Sequence, residues 1–326
     1  MNNKHFLGID TSNYKTSIAV VNDKGEIICD LRKFLEVRQG ERGLRQSDAL
    51  FQHVKNLPEL MEKKGIEFSG KLDAIAYSSK PRPVDGSYMP VFLAGESIAR
   101  SLAASLDIPV YAFSHQEGHI EAIKHYSHFN SSEKVLSCHF SGGTTEILLV
   151  ESKDQGYEIE IIGGTDDIAL GQVIDRAGVA MGYPFPAGEY LDVIANNTTD
   201  TSELLTPIKV RNGRFNLSGI DTQIKRTIET GNIDDRFIKE IFDKISKAVI
   251  KSIYQSCEMT GLSDVLMAGG VLSSEFLKNA IKNELSKSGI NTAFGNNGLS
   301  QDNAVGIALL GGKQYGIETN QGLTIK

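Results

Sequence analysis

One pattern occurs twice in this chain, and it leaves few folds open. Phe6 to Asp10 is an apolar run ending in a carboxylate, Thr11-Ser12-Asn13 turns the chain, and Thr16 to Val21 is rich in β-branched residues. Asn22-Asp23-Lys24-Gly25 holds residues that tolerate the positive φ of a hairpin turn, and Glu26 to Leu31 is a third strand. The same order returns at residues 135–162, with strands Val135 to Phe140, Thr144 to Val150 and Tyr157 to Ile162. Its turns are Ser141-Gly142-Gly143 and Ser152-Lys153-Asp154-Gln155-Gly156. A polar tip follows the first strand in both copies, which favours duplication over a chance alternation of strands and turns. Helical and strand patterns follow each copy, so the expected fold class is α/β, two lobes on a duplicated βββαβα frame. Asn130-Ser131-Ser132-Glu133 reads as the join. The expected lobes are residues 1–132 and 133–326, with the last helix able to pack back on the first lobe.

Within that frame, Ser114-His115-Gln116-Glu117-Gly118-His119 follows the strand Ile108 to Phe113 and opens a helix to about His125. Histidines four apart share a helix face, so His115 and His119 can converge on one metal ion. A solvated or half-buried pair is the bland alternative. Asp302, expected at the N-terminus of the last helix, supplies a third donor. Two histidines and one carboxylate leave coordination positions open, as a working metal needs. Glu117 lies two residues beyond His115, about 200° around the helix, and is badly placed to activate water on that metal. The spacing therefore argues against a zinc protease.

The 326 residues are 40% hydrophobic and 23% charged, values of a soluble globular protein. A net charge of −7 argues against a chain that coats nucleic acid through global charge, and leaves a local basic patch or a partner protein open. Cys29, Cys138 and Cys257 are far apart and odd in number, so a reducing, cytoplasmic setting without disulfides is expected. Met1 to His5 leads straight into a strand, so no signal peptide is expected, and no apolar run is long enough for a membrane span.

Three glycine-containing turns follow apolar strands: Gly8 to Ser12, Ser141-Gly142-Gly143 and Gly269-Gly270-Val271. Small residues there let backbone N–H groups approach phosphate oxygens, and three in one duplicated frame suggest a nucleotide gripped by the two lobes. Asp10, Asp166, Asp167 and Asp175 could bind ribose hydroxyls or reach a metal through water, while a helix cap or a solvated charge is at least as good a reading for each.

These segments, with Gly164 to Asp175, Phe185 to Asp192 and Gln301 to Ala304, resemble the motifs of the TsaD family in order, over residues 6 to 314. TsaD proteins are tRNA threonylcarbamoyladenosine transferases, formerly called O-sialoglycoprotein endopeptidases, with the actin and sugar-kinase ATPase fold. The resemblance implies that His115, His119 and Asp302 bind one divalent metal ion, iron or zinc. It places His139, Phe140, Ser141, Gly142 and Gly143 on the adenylate, Asp175 on the ribose, and Gly188, Asp192, Gly269, Gly270 and Ser274 around the nucleotide. Asp10 and Lys15 fall in the first turn, at catalytic positions. Asn13-Tyr14-Lys15 stands where the family has Cys-Asp-Glu, Thr144 replaces a histidine, Ser274 replaces an asparagine, and Lys80 to Gly86 replaces a Gly-Pro-Gly loop.

The implied reaction moves a threonylcarbamoyl group from threonylcarbamoyl-AMP to N6 of the adenosine beside the tRNA anticodon. Its implied ligands are the metal and an adenine nucleotide (threonylcarbamoyl-AMP, AMP or ATP). Its implied partners are tRNA and a TsaB-like paralogue, with no membrane and no DNA. Arg38, Arg42, Arg45, Lys80 and Arg82 are the candidate basic face for tRNA. Two other readings stay open at this level. One is a nucleotide- and metal-binding regulator or scaffold without transferase activity. The other is a carbamoyl or phosphoryl transferase on a small molecule, with Lys15 holding a phosphate.

Overall fold

The computed structural model describes residues 3–12, 14–36, 44–68, 70–231, 233–295, 298–299 and 302–321. Asn13, Arg38, Arg42 and Gln301 lie outside them. The chain forms two compact units. One comprises Met1–Asn130, Ser152–Glu158 and Gly298–Lys326, the other Ser131–Glu151 and Ile159–Asn297.

The first unit opens with strands β1 (His5–Thr11), β2 (Lys15–Asn22) and β3 (Ile27–Phe34), then helix α1 (Gln46–Glu67), β4 (Ala74–Lys80), α2 (Phe92–Leu106), β5 (Val110–Ser114) and α3 (His115–His125). The second contributes β6 (Lys134–Phe140), β7 (Thr145–Ser152), β8 (Tyr157–Thr165), α4 (Leu170–Ala180) and α5 (Gly188–Asn197). It continues with β9 (Val210–Arg211), β10 (Arg214–Phe215), α6 (Ser218–Glu229), α7 (Asp235–Thr260), β11 (Asp264–Ala268), α8 (Glu275–Lys287) and β12 (Asn291–Phe294). Helix α9 (Val305–Asn320) belongs to the first unit.

The sheet orders make the duplication explicit. The first sheet runs β3-β2-β1-β4-β5, and the second contains β8-β7-β6-β11-β12, extended by β10 and β9 beyond β8. In each, the first strand pairs antiparallel with the second and parallel with a later strand. The first hairpin turns where Asn22 Oδ1 accepts the amides of Lys24 and Glu26, with Gly25 at φ 78°.

Strand alternation sorts the faces of the first sheet. Leu7, Ile9, Ile18 and Ile75 pack with Leu57 and Ala99 from α1 and α2. Gly8, one residue out of phase, meets α9, where an added Cβ would lie 2.3 Å from the Ala304 carbonyl oxygen. The second unit has its own core, in which α7 buries Phe237, Ile241, Phe242 and Ile245 against Leu136 and Ile147. No helix among the described residues is long and apolar enough to cross a membrane.

Three boundaries differ from the sequence expectation that Ser47 caps the first helix and that the last helix runs from Asp302 through Gly312. α1 begins at Gln46 behind Arg45 rather than at Ser47, and it runs through Pro58, whose missing bond falls on the carbonyl of exposed Val54. α9 begins at Val305, so Asp302 sits in the loop before it, where Asn303 Oδ1 accepts the first helical amides, Val305 N at 3.0 Å and Gly306 N at 3.4 Å. α9 then continues past Gly311 and Gly312, because these glycines pack against Ala76 and Phe6 of the sheet.

A buried polar chain ties α1 to the first turn. Asn56 Nδ2 donates to Thr16 Oγ1 at 3.1 Å, and that hydroxyl lies 2.8 Å from His53 Nδ1. Burial pushes the His53 ring down to about 4, against the pull of the Ser12 backbone and Asp10. The unfolded chain has an ordinary histidine near 6.5, so between pH 6.5 and 4 it binds a proton that the folded chain refuses. Stability contributed by this group is full above that window and falls as pH drops through it, by about 3 kcal/mol in total. Urea titrations of wild type and His53→Gln at pH 7 and pH 4.5 are expected to show the gap between them narrowing by about 2 kcal/mol at the lower pH. Parallel pH profiles for the two chains would contradict this assignment.

Candidate functional site

β5 delivers the chain to Ser114, which opens α3 with a reciprocal cap. Ser114 Oγ accepts Glu117 N at 3.2 Å, and Glu117 Oε2 accepts Ser114 N at 2.7 Å. The second Glu117 oxygen accepts Tyr157 N at 3.0 Å, from the hairpin tip 152–158 of the same unit. Glu117 is therefore engaged in shaping the helix, turned away from the two histidines.

On the other face of α3, His115 Nε2 and His119 Nε2 lie 3.0 Å apart. Asp302 Oδ1 is 3.2 Å from His119 Nε2 and 3.6 Å from His115 Nε2. Donors bound at about 2.1 Å in tetrahedral or octahedral geometry stand roughly 3.0–3.4 Å apart. The 3.0 and 3.2 Å edges fall in that range and the 3.6 Å edge lies just beyond it, so a small inward shift of Asp302 would fit one divalent ion of zinc or iron size. All three donors belong to one unit. Among the described residues they form the one group of three or more His, Cys, Asp or Glu able to hold a metal. The loop carrying Asp302 is fixed by Asn303 Nδ2 on Leu299 O at 3.1 Å. α9 and α3 touch through backbone, since a Cβ on Gly306 would lie 1.8 Å from the Gly118 carbonyl oxygen.

The electrostatics call for a cation at this point. Burial works against a charged His115 ring, yet Asp10 and Asp302 outweigh it and push the group up to about 10. Burial likewise opposes the Asp302 carboxylate, and the bonds from His115 and His119 hold it well below the usual range. A metal ion supplies that positive charge without a proton.

Asp10, expected as a catalytic acid, has no solvent exposure and contacts His115 and Ser78. Lys15 is 5% exposed, with Nζ 4.4 Å from the centre of the Phe34 ring. Burial lowers its pKa, while Asp302 pulls it back up. Tyr14 is exposed.

In the second unit the glycine turns sit side by side. β6 and β11 are parallel with His139 opposite Ala268, so the turns Ser141-Gly142-Gly143 and Gly269-Gly270 emerge together at their carboxyl ends. Ligands of open α/β sheets bind at such ends. Gly269 has φ 103°, and a Cβ there would lie 2.1 Å from the Phe140 carbonyl oxygen. Added Cβ atoms on Gly142, Gly143 and Gly270 would meet nothing within 4 Å, which leaves room for a ligand. The Ser141 hydroxyl accepts Gly143 N at 3.3 Å and Thr144 N at 3.0 Å. His139 is half-buried, paired across the ladder with Glu146.

The remaining expected nucleotide residues have structural partners. Asp175 Oδ1 accepts Ala187 N at 2.8 Å and Gly188 N at 3.3 Å. Asp192 accepts the Ser274 hydroxyl, Glu275 N at 3.0 Å and Phe276 N at 3.2 Å. Ser274 Oγ accepts Leu277 N at 3.1 Å, so Asp192 and Ser274 together cap α8. Asp167 caps α6 through Leu217 N and Ser218 N, both at 2.9 Å, and Asp166 pairs with Arg214 at 2.6 Å.

The sequence reading did not single out Ser12 and Ser78. Ser12 Oγ donates to Asp302 Oδ2 at 3.1 Å, and Ser78 Oγ to Asp10 Oδ1 at 2.9 Å. The signal for Ser78 exists only once β1 and β4 are paired, with Ile9 opposite Tyr77.

The model of the family described as TsaD, tRNA N6-adenosine threonylcarbamoyltransferase, matches residues 42–309. The chain belongs to the TsaD family. A TsaD relative from Neorickettsia sennetsu, a tRNA N6-adenosine threonylcarbamoyltransferase, is 28% identical over 318 residues, covering 94% of this chain and 93% of its own. Among solved structures, full-length HypF in a phosphate- and nucleotide-bound form superposes with a TM-score of 0.60 at 13% identity, over 98% of this chain and 56% of HypF. A ROK family glucokinase from Streptomyces griseus with glucose and AMPPNP gives a TM-score of 0.53 at 10% identity, over 95% and 99% of the two chains. These likenesses show that this TsaD family member has the actin and sugar-kinase ATPase fold.

Proposed function

We propose that this TsaD family member transfers a threonylcarbamoyl group from threonylcarbamoyl-AMP to N6 of the adenosine beside the tRNA anticodon. The observation that carries the reading is the triangle of His115, His119 and Asp302 donors in a chain of this family. These three residues would hold iron or zinc, which when bound supplies positive charge to polarise the carbamoyl carbonyl and offset phosphate charge. His115 presents Nε2 because Asp10 occupies Nδ1. We assign Lys15, a buried lysine whose charge the Asp302 carboxylate favours, to a substrate anion such as the threonyl carboxylate or the phosphate. Backbone N–H groups at Gly142 and Gly270 serve the adenylate phosphate, with Asp175 on the ribose.

In the transfer, the N6 nitrogen forms a bond to the carbamoyl carbon. The bond from that carbon to the phosphate oxygen breaks, N6 gives up one proton to the solvent, and AMP leaves. Arg45, Lys80 and Arg82 are the described members of the proposed tRNA face. A TsaB-like paralogue is the proposed partner, and the cytoplasm, where buried Cys29, Cys138 and Cys257 stay reduced, is the proposed location.

The test incubates purified protein with threonylcarbamoyl-AMP and unmodified tRNA, alone and with a TsaB-like partner, and reads modified adenosine by mass spectrometry. Modified adenosine released with AMP in equal amounts is expected. No product in either mixture, from protein that still binds AMP, would overturn the reading.

A further inference from the structure

Behind the three donor atoms lies a second layer of buried side chains. The parallel pairing of β1 and β4 puts Asp10 beside Ser78, whose hydroxyl donates to Asp10 Oδ1 at 2.9 Å. Asp10 Oδ2 then stands 2.6 Å from His115 Nδ1. A carboxylate oxygen accepts at this distance, so His115 Nδ1 carries the hydrogen toward Asp10, and Nε2, facing His119 and Asp302, is the nitrogen that a metal ion would take in place of a proton. On the opposite side, Ser12 donates to Asp302 Oδ2 at 3.1 Å, which leaves Oδ1 to face the two rings. Asp10 and Ser78 have no solvent exposure and Ser12 has 4%, so bulk water cannot replace a lost partner.

We infer that Asp10, backed by Ser78, and Ser12 are positioning residues for a divalent cation. Asp10 sets the tautomer of His115, and Ser12 restricts Asp302 to a single donating oxygen. The inference rests on the metal reading of His115, His119 and Asp302. It moves Asp10 away from contact with substrate and gives the first turn a task separate from the chemistry of its Tyr14 and Lys15. A ligand's carboxylate partner commonly tunes metal affinity 10–100-fold, roughly, so the effect is measurable without substrate.

The experiment titrates the metal-stripped full-length chain with Zn²⁺ by competition calorimetry, for wild type, His119→Ala, Asp10→Asn, Ser12→Ala and Ser78→Ala. Long-range ¹⁵N–¹H spectra of the Zn²⁺-loaded chains read which His115 nitrogen carries hydrogen, and circular dichroism checks folding. Wild type is expected to bind one Zn²⁺ and His119→Ala to lose most of that affinity. Asp10→Asn is expected to weaken binding about 10–100-fold and, in the Zn²⁺-loaded chain, to lose the His115 Nδ1–H signal of the wild type. The two serine variants are expected to weaken binding several-fold. Asp10→Asn within twofold of wild type, or a Zn²⁺-loaded wild type without hydrogen on His115 Nδ1, overturns the inference while the metal reading stands. A wild type that binds no Zn²⁺ removes both. If Asp10→Asn fails to fold, the serine variants decide, and affinities within twofold of wild type for both overturn the inference.

Discussion

Replacing His115 and His119 together by alanine is expected to remove metal binding and to lower threonylcarbamoyl transfer by at least about 10³-fold. The change takes away two of three converging donors, and Asp302 alone cannot retain the ion against water. A metal acting as a Lewis acid supplies several kcal/mol of charge stabilisation, and each 1.4 kcal/mol, roughly, is a factor of ten in rate. The double variant also leaves the buried Asp10 carboxylate and the half-buried Asp302 carboxylate without their imidazole partners. A fall in melting temperature is therefore expected as well, and the far-ultraviolet spectrum must be shown to be retained. His119→Ala alone keeps the Asp10–His115 pair and separates the two effects. Transfer by the double variant within tenfold of wild type would contradict the role given to these residues.

The second large effect is on stability. Gly306→Ala would set a Cβ 1.8 Å from the Gly118 carbonyl oxygen and 2.9 Å from Ala122 N. Both neighbours are backbone of α3, packed between α9 and the rest of the unit, so neither can rotate away. The helices must separate, and the expected loss is about 3 kcal/mol or more, with a melting temperature lower by about 5–10 °C. Metal affinity is expected to fall too, because α3 carries both histidines and α9 follows directly from Asp302. Gly219→Ala is the control: its Cβ meets nothing within 4 Å in α6, and exchanging a helical glycine for alanine is expected to stabilise by up to about 1 kcal/mol. Calorimetric scans of the two variants check the contrast, and equal melting temperatures would contradict the packing account.

Much of this was written in the sequence because it is local. The three-strand pattern with its polar tip depends on alternation and turn residues within each copy, and both copies fold into the same strand order. The Ser114 cap and the i, i+4 histidines are likewise read within one helix. What stayed hidden depends on partners distant in sequence. Asp192 reads as an acid on a nucleotide helix, yet its carboxylate reaches 83 residues onward to the amide of Glu275. α6 starts where Asp167, some 50 residues earlier, accepts Leu217 N and Ser218 N, so residues 218–229 carry no start signal of their own. The last helix is expected to run only through Gly312, but the sheet surface beneath α9 requires small residues at 311 and 312, and the helix continues past them. Ser12 and Ser78 look like ordinary turn and strand residues until β1, β4 and the Asp302 loop are assembled around them.

The account rests on one point in space, and anomalous diffraction tests it most directly. Crystals of the full chain grown with Zn²⁺ would be measured above and below the zinc absorption edge. The account predicts one strong peak within bonding distance of His115 Nε2, His119 Nε2 and Asp302 Oδ1, with His115 Nδ1 still on Asp10. A fully loaded crystal with its zinc elsewhere, or with none bound by these three atoms, would contradict it.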